Sequence, residues 1–580
     1  MNNSPSRWNI RDAIFRGLHS EPGISNNLAV LIGIFTGLTI VAYDFCLKYA
    51  EGVFWNGAGT TGHYYVIFIP AIGGLFVGVV THLYKDLKRC NVAEVIEGTA
   101  LHGGRIRIRE AFREVFLSIV SIATGGSVGK EAPGILAGAG IGTIFAKTIH
   151  APDNRYRIFL GCGASGGIAA AFNAPLAGVV FVVEVILGEL ETRTFIPIVL
   201  SSVFATLVAN LIFEVHPIEV SYYGLVDPIR ESGLYLVLGI LCGIASVIII
   251  RTLYITHDVF QKIPVHSAFK PAIGGLFVGF IGYFYPQVRG IGYNVITEVL
   301  ANNFTLQLLL ILLVLKILAF SFTIGSGNAG GSIIPSMFVG AMLGGAYGTI
   351  VHQLFPASTA VSGAYALVGM AATLAGTVRA PLTSMLILFE LTKDYNLILP
   401  LMFACVVSNS ISNGLHEESI FTEVLKRRGF TIRRGKEINV MESMLVKGNM
   451  ITDVHTLSMN DTAKDLLDLM QSSRHAGFPV LDKNKKLRGI VTLEDMRDKV
   501  NYGELDTKIS EIATLGPVVA YPDESLDVVL KRLAMRDIGR LPVVSRTDEA
   551  KLLGIITRSD VVKSYNKEIV KSVHEKDIQK

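Results

Sequence analysis

The chain has 580 residues, of which 50% are hydrophobic and 17% charged, with a net charge of +4. A soluble chain carries about 25% charged residues, and a balance this mild argues against a nucleic-acid partner. The cysteines, Cys46, Cys90, Cys162, Cys242 and Cys405, are odd in number and lack metal-site spacing, which argues against a disulfide framework or cysteine–metal centre.

Residues 1–24 hold no short apolar core with a small-residue cleavage site and so do not read as a signal peptide. Arg7, Arg11 and Arg16 predict a cytoplasmic N-terminus, as does the basic loop Leu101–Glu110. Long apolar runs then fill residues 25–426, among them Leu28–Ala42, Tyr65–Val80, Phe195–Phe213, Leu234–Ile250, Leu308–Ala319 and Leu397–Val407. After Lys426 no run approaches the roughly 20 apolar residues of a spanning helix. The expected fold is an all-α polytopic membrane domain followed by a soluble α/β domain.

The membrane part repeats itself. PAIGGLFVG occurs at Pro70–Gly78 and at Pro271–Gly279. Pro133, Gly138 and Gly142 are answered by Pro335, Gly340 and Gly344, and FNAPLAGVVFVVEV (Phe172–Val185) by VRAPLTSMLILFEL (Val378–Leu391). Two repeats, near 65–215 and 266–415, place an ion site at their interface. Whether the halves are inverted is not readable from the pattern.

Each matched segment has glycines and then a proline, which fits the first position of a helix. Helices starting inside the membrane aim free N–H groups at a cavity and favour an anion. Tight small-residue packing explains the glycines as well, but not the pair Lys130–Glu131 between apolar flanks. Ser332 and the Ile333 amide are neutral donors that would hold an anion weakly enough to release it.

At these residues the chain resembles the CLC chloride channel and transporter family. Gly129-Lys130-Glu131-Ala132-Pro133 is similar to its G(K/R)EGP motif, and Gly331-Ser332-Ile333-Ile334-Pro335 to its GxFxP motif. FNAPLAG (Phe172–Gly178) and RAPLT (Arg379–Thr383) match as well. The resemblance implies a homodimer in a lipid membrane, with one pathway per subunit for chloride or a related anion. It also implies an inverted repeat of tilted, partial helices.

It puts Glu131 on the gating glutamate, a tethered anion that competes with chloride. It puts Cys90, Asn91, Gly129, Lys130, Ser332, Ile333 and Phe421 on the anion path, Lys130 adding positive potential. Cys90 stands where a serine is usual, and a thiol is the weaker donor. Phe421, in SIFTEVL (Ser419–Leu425), replaces a pore-lining tyrosine. Val185, just after Glu184, takes the place of an internal proton-relay glutamate. Valine carries no proton, so the reading leans to a channel. The alternative is a proton-coupled chloride/proton antiporter with another internal path.

Residues 427–437 form a linker whose Arg427, Arg428, Arg433 and Arg434 would face cytosol or lipid headgroups. Beyond it, GFPVLDKNKKLRGIVTLED (Gly477–Asp495) parallels GRLPVVSRTDEAKLLGIITRSD (Gly539–Asp560). These resemble paired CBS domains, 438–500 and 508–570, which commonly bind adenine nucleotides (ATP, ADP or AMP). Thr557 and Asp560 fit that pattern best, with Thr492 and Asp495 equivalent in the first unit; a purely dimerising, stabilising role is the competing reading. No other cofactor is required. A magnesium channel with such a tail would want acidic residues at the membrane mouth, which are not evident. No nucleophile–base set, zinc spacing or Walker loop points to an enzyme, and His63 and His102 read as loop or interface residues.

Overall fold

The computed structural model describes residues 21–55, 64–84, 90–188, 192–212, 228–428, 444–473, 475–499, 505–536 and 538–565. Most of the N-terminal segment, His63, the linker with Arg433 and Arg434, and the ends of the second tail unit lie outside them. The chain forms two compact units, one ending at Gly435 and one beginning at Lys436.

In the first unit, α1 (Glu21–Trp55), α2 (Ile69–Leu83), α3 (Val92–Leu101), α4 (Ile108–Ala123), α5 (Glu131–Thr148), α6 (Asp153–Phe172), α7 (Pro175–Phe181) and α8 (Thr192–Ile212) make the first half. The second half is α9 (Pro228–Lys262), α10 (Lys270–Phe284), α11 (Tyr293–Leu300), α12 (Leu306–Ser326), α13 (Ile333–Leu354), α14 (Ser362–Val378), α15 (Pro381–Thr392) and α16 (Ile398–Leu415). A short α17 (Thr422–Arg427) follows. Eight helices among the described residues are long and apolar enough to cross a membrane. The 35-residue α1 and α9 exceed the roughly 20 residues needed and can span with tilt.

Contacts between the halves settle their relation. A Cβ on Gly74 would stand 2.2 Å from the Pro271 carbonyl oxygen, and one on Gly275 would stand 2.2 Å from that of Pro70. Gly78 meets Ala268 and Gly279 meets Ile67 in the same reciprocal way. Residues 67, 70, 74 and 78 therefore run against 279, 275, 271 and 268, so α2 and α10 are antiparallel. The axis relating them is perpendicular to both helices. The repeat is inverted, which the periodicity alone left open.

The same symmetry governs α7 and α15. Glu184, on a π-helical turn at Val182–Leu187 that continues α7, accepts from the Leu382 and Thr383 amides at 3.2 and 2.9 Å and from Thr383 Oγ1 at 2.7 Å. Glu390 on α15 accepts from the Leu176 and Ala177 amides at 2.9 and 2.8 Å. Each carboxylate satisfies the orphan donors at the other helix's start. Pro175 and Pro381 are the first residues of these helices, as expected. Pro133 and Pro335 instead occupy the third helical position, because α5 and α13 begin at Glu131 and Ile333. The missing N–H is as harmless there, since the first four donors have no partner within the helix.

In the second unit, strands β1 (Leu457–Ser458), β2 (Gly477–Leu481), β3 (Leu487–Thr492) and β4 (Thr514–Leu515) form one sheet. Strands β5 (Arg540–Val544) and β6 (Leu552–Thr557) form another. The two repeats exchange segments. Val446, in front of the first repeat, is buried with Leu526, Leu541 and Ile556 of the second. Ile509 and Ile512, in front of the second, are buried with Leu466, Phe478 and Val491 of the first. Ile451 pairs with Ile555 through two 2.9 Å backbone hydrogen bonds.

Glu184→Ala strands the Leu382 and Thr383 amides; it is expected to lower stability by about 1 to 3 kcal/mol, read as a lower thermal midpoint in detergent. An unchanged midpoint would show that the cap is not used.

Candidate anion site

The breaks after α4 and α12 bring two loops together at the pseudo-twofold axis. Gly129 N–H donates to Gly331 O at 2.9 Å, and Gly331 N–H donates to Gly129 O at 2.7 Å. Ser127 ties the first loop to the other half, its amide bonding Thr323 Oγ1 at 3.2 Å and its hydroxyl Val288 O at 2.8 Å. Helices α5 and α13 each start two residues beyond the bridge, so two sets of unpaired helix N–H groups converge on one point.

The Glu131 carboxylate occupies that point. Its residue is fully buried, and neither oxygen has a hydrogen-bond partner of regular geometry. The amides of Glu131, Ile334 and Lys130 face it, two from the start of α5 and one from that of α13. A Cβ on Gly129 would stand 2.1 Å from Oε2, and one on Gly331 would stand 2.9 Å away. The side chain thus folds back over the bridge, in space that two glycines leave open. The Tyr293 hydroxyl is set toward it, and the buried Tyr43 and Lys316 lie within reach of its field; the Lys316 ammonium donates to Val288 O at 3.2 Å and Gly290 O at 3.0 Å.

Lys130 does not pair with Glu131. Its ammonium donates to both carboxylate oxygens of Asp44 on α1, each at 2.8 Å. The charge expected to line the path is therefore largely compensated, because an N-cap side chain directed away from the first turn meets α1. Ser332, N-cap of α13, keeps a buried hydroxyl with no partner, while the amide of Ile333, the first residue of α13, has no partner within the helix. Gly129, by contrast, spends its amide on the bridge.

Cys90 is buried just before α3, which packs against both α5 and α17. Asn91 caps α3: its Oδ1 accepts from Ala93 N–H at 2.7 Å and its own N–H donates to Glu94 Oε2 at 2.6 Å. The Asn91 amide is thus committed to the cap and is not open to an anion. Phe421 is buried as the N-cap of α17. Val185 sits in the π turn, and its neighbour Glu184 is engaged by α15. Asp44, Glu94 and Glu390 were not singled out by sequence; Glu184 and Glu390 do share one place in the matched APL segments, 206 residues apart.

In the tail, Thr492 Oγ1 and N–H donate to Asp495 Oδ2 at 2.6 and 2.9 Å, and Thr557 and Asp560 repeat this at 2.7 and 3.0 Å. The repeats differ at the second oxygen. Thr514 Oγ1 takes Asp495 Oδ1 at 2.8 Å, and Asp560 has no counterpart contact among the described residues.

A fold of inverted halves whose broken helices converge on a buried carboxylate defines a membrane transport protein. The family model described as "Voltage gated chloride channel" matches residues 73–413, and that for the CBS domain matches 445–502 and 509–567. The chain belongs to the CLC family and carries two CBS domains. It is 32% identical to a putative chloride channel protein ClcB-like of Ralstonia nicotianae, over 70% of this chain and 98% of that one. It is 28% identical to chloride channel protein CLC-f of Arabidopsis thaliana, over 91% and 79%. Among solved structures, a slow cyanobacterial Cl−/H+ antiporter aligns with TM-score 0.63 at 23% identity, over 70% and 97% of the chains. A eukaryotic CLC transporter aligns with TM-score 0.63 at 20% identity, over 92% and 97%.

Gly129→Ala cannot coexist with the carboxylate in its present place; cryo-electron microscopy of the variant is expected to show Glu131 turned away from Gly331. An unmoved side chain would refute this packing.

Proposed function

We propose that the chain conducts chloride or a related anion across a membrane as a homodimer, with Glu131 as the gate of each subunit's pathway. The observation that carries this is the Glu131 carboxylate seated, without a regular hydrogen bond, against the starts of α5 and α13. A carboxylate there is a bound anion on a tether. Chloride and the side chain compete for the same amides, and protonating or displacing the side chain opens the place to chloride. Ser332 Oγ and the Ile333 amide are the neutral donors left for the passing ion. The basic N-terminal segment supports a cytoplasmic N-terminus and tail.

Proton coupling is weak in this reading. Val185 has no proton to carry, and Glu184 is held by three donors from α15. The fold shared with a solved Cl−/H+ antiporter favours a second reading, in which protons reach Glu131 by another route. In the tail, an adenine nucleotide would use Thr557 and Asp560. Asp560 keeps an oxygen for ribose hydroxyls, whereas Thr514 occupies that of Asp495.

In liposomes, Glu131→Ala is expected to keep chloride efflux while losing its pH dependence; a variant with the wild-type pH profile would remove the gate assignment. Under a chloride gradient the wild type is expected to drive little proton uptake, and stoichiometric uptake against a proton gradient would establish the antiporter instead. By calorimetry with AMP, Asp560→Ala is expected to weaken binding by roughly tenfold or more, the loss of one charge-assisted hydrogen-bond set, and Asp495→Ala by less than threefold. Equal losses would overturn the asymmetry.

A further inference from the structure

Helix α17 is clamped at its end by two arginines with different partners. Arg427 reaches Asp258 on α9 at 2.6 Å and Glu423 at 2.8 Å, and lies over the Tyr254 ring. Arg428 turns the other way, to α3. Its Nη2 stands 2.6 Å from Glu94 Oε1, and its Nη1 stands 3.5 Å from Glu97 Oε2. Glu94 Oε1 is buried, while Oε2 accepts the Asn91 amide in the α3 cap. One carboxylate therefore joins the arginine at the end of α17 to the turn that carries Cys90.

The electrostatic setting gives this pair a direction. Glu94, Glu114 and Glu110 are the carboxylates whose fields reach Cys90, and Arg113 is the opposing cation. A carboxylate beside an anion path needs compensation, because an unpaired negative charge in a poorly solvated site repels chloride. Arg428 supplies it for the carboxylate nearest the α3 cap. As a source of stability a pair with a partly exposed arginine contributes little; its effect lies in the field and geometry at Cys90.

We propose that Arg428 is a positioning residue for the inner end of the anion path: by neutralising Glu94 and holding the α3 cap, it sets how strongly an anion is held between Cys90 and Phe421. The proposal rests on the anion-transport reading above. The loss of a positive charge from the linker is not the effect meant; the effect runs through Glu94, and removing the Glu94 charge must undo it.

The test uses the full-length protein in liposomes, with chloride efflux measured over a range of chloride concentrations and with nitrate as a second anion. Arg428→Gln is expected to raise the half-saturating chloride concentration roughly three- to tenfold, the size set by one partly screened charge. It should also change the nitrate-to-chloride ratio. Arg428→Lys should retain most of the wild-type value. Arg428→Gln combined with Glu94→Gln should return the half-saturating concentration toward wild type. If Arg428→Gln leaves both quantities unchanged, or if the double variant is no better than the single, the proposal is wrong. A wild type that moves neither anion would instead remove the transport reading itself.

Discussion

Everything at the anion site depends on the two hydrogen bonds between Gly129 and Gly331. They tie the irregular loops of the two halves together backbone to backbone immediately before α5 and α13 begin. Without this bridge each helix start would be a separate weak anion attractor. With it, the N–H groups of two helices address one volume, and that volume is small enough for a single carboxylate to fill. Both residues must be glycine because the carboxylate lies within 3 Å of where their Cβ atoms would be. The bridge and the proposed gate thus share one constraint.

The charges around this point are handled by pairing each with a partner distant in sequence. Asp44 answers Lys130, Arg428 answers Glu94, and Glu184 and Glu390 answer helix starts in opposite halves. Glu131 is the exception, and on the proposed function this is what lets it be displaced while the others stay. A charge with a good partner in a poorly solvated interior is costly to move; one held only by dipoles and badly aligned amides is not.

Much of this was legible in the sequence. The duplication, the helix starts near Pro133, Pro335, Pro175 and Pro381, the position of Glu131 and the paired tail repeats all follow from local pattern. The inversion was not in the repeat pattern itself, because a repeated sequence fixes the likeness of two halves and not their relative orientation; the family resemblance implied it, and reciprocal contacts such as Gly74 with Pro271 show it. Nor was the fate of Lys130 or of the Asn91 amide. An N-cap side chain can be read from residue type, but Asp44 is 86 residues away and the cap consumes a donor that spacing alone counts as free. The tail shows the same limit: Val446 precedes the first repeat in the chain yet belongs to the hydrophobic core of the second.

The exchange of carboxylates between α7 and α15 carries an evolutionary consequence. Each half places its glutamate where only the other half's helix start can use it, so neither half is electrostatically complete alone in a bilayer. A half-length ancestor would have met the same need only by pairing with a second copy inserted upside down, in the self-complementary manner of a twofold dimer. Fusion of two such copies then permits asymmetry: Glu131 has no counterpart at Ser332–Ile333, so one half can hold the proposed gate while the other offers the proposed donors.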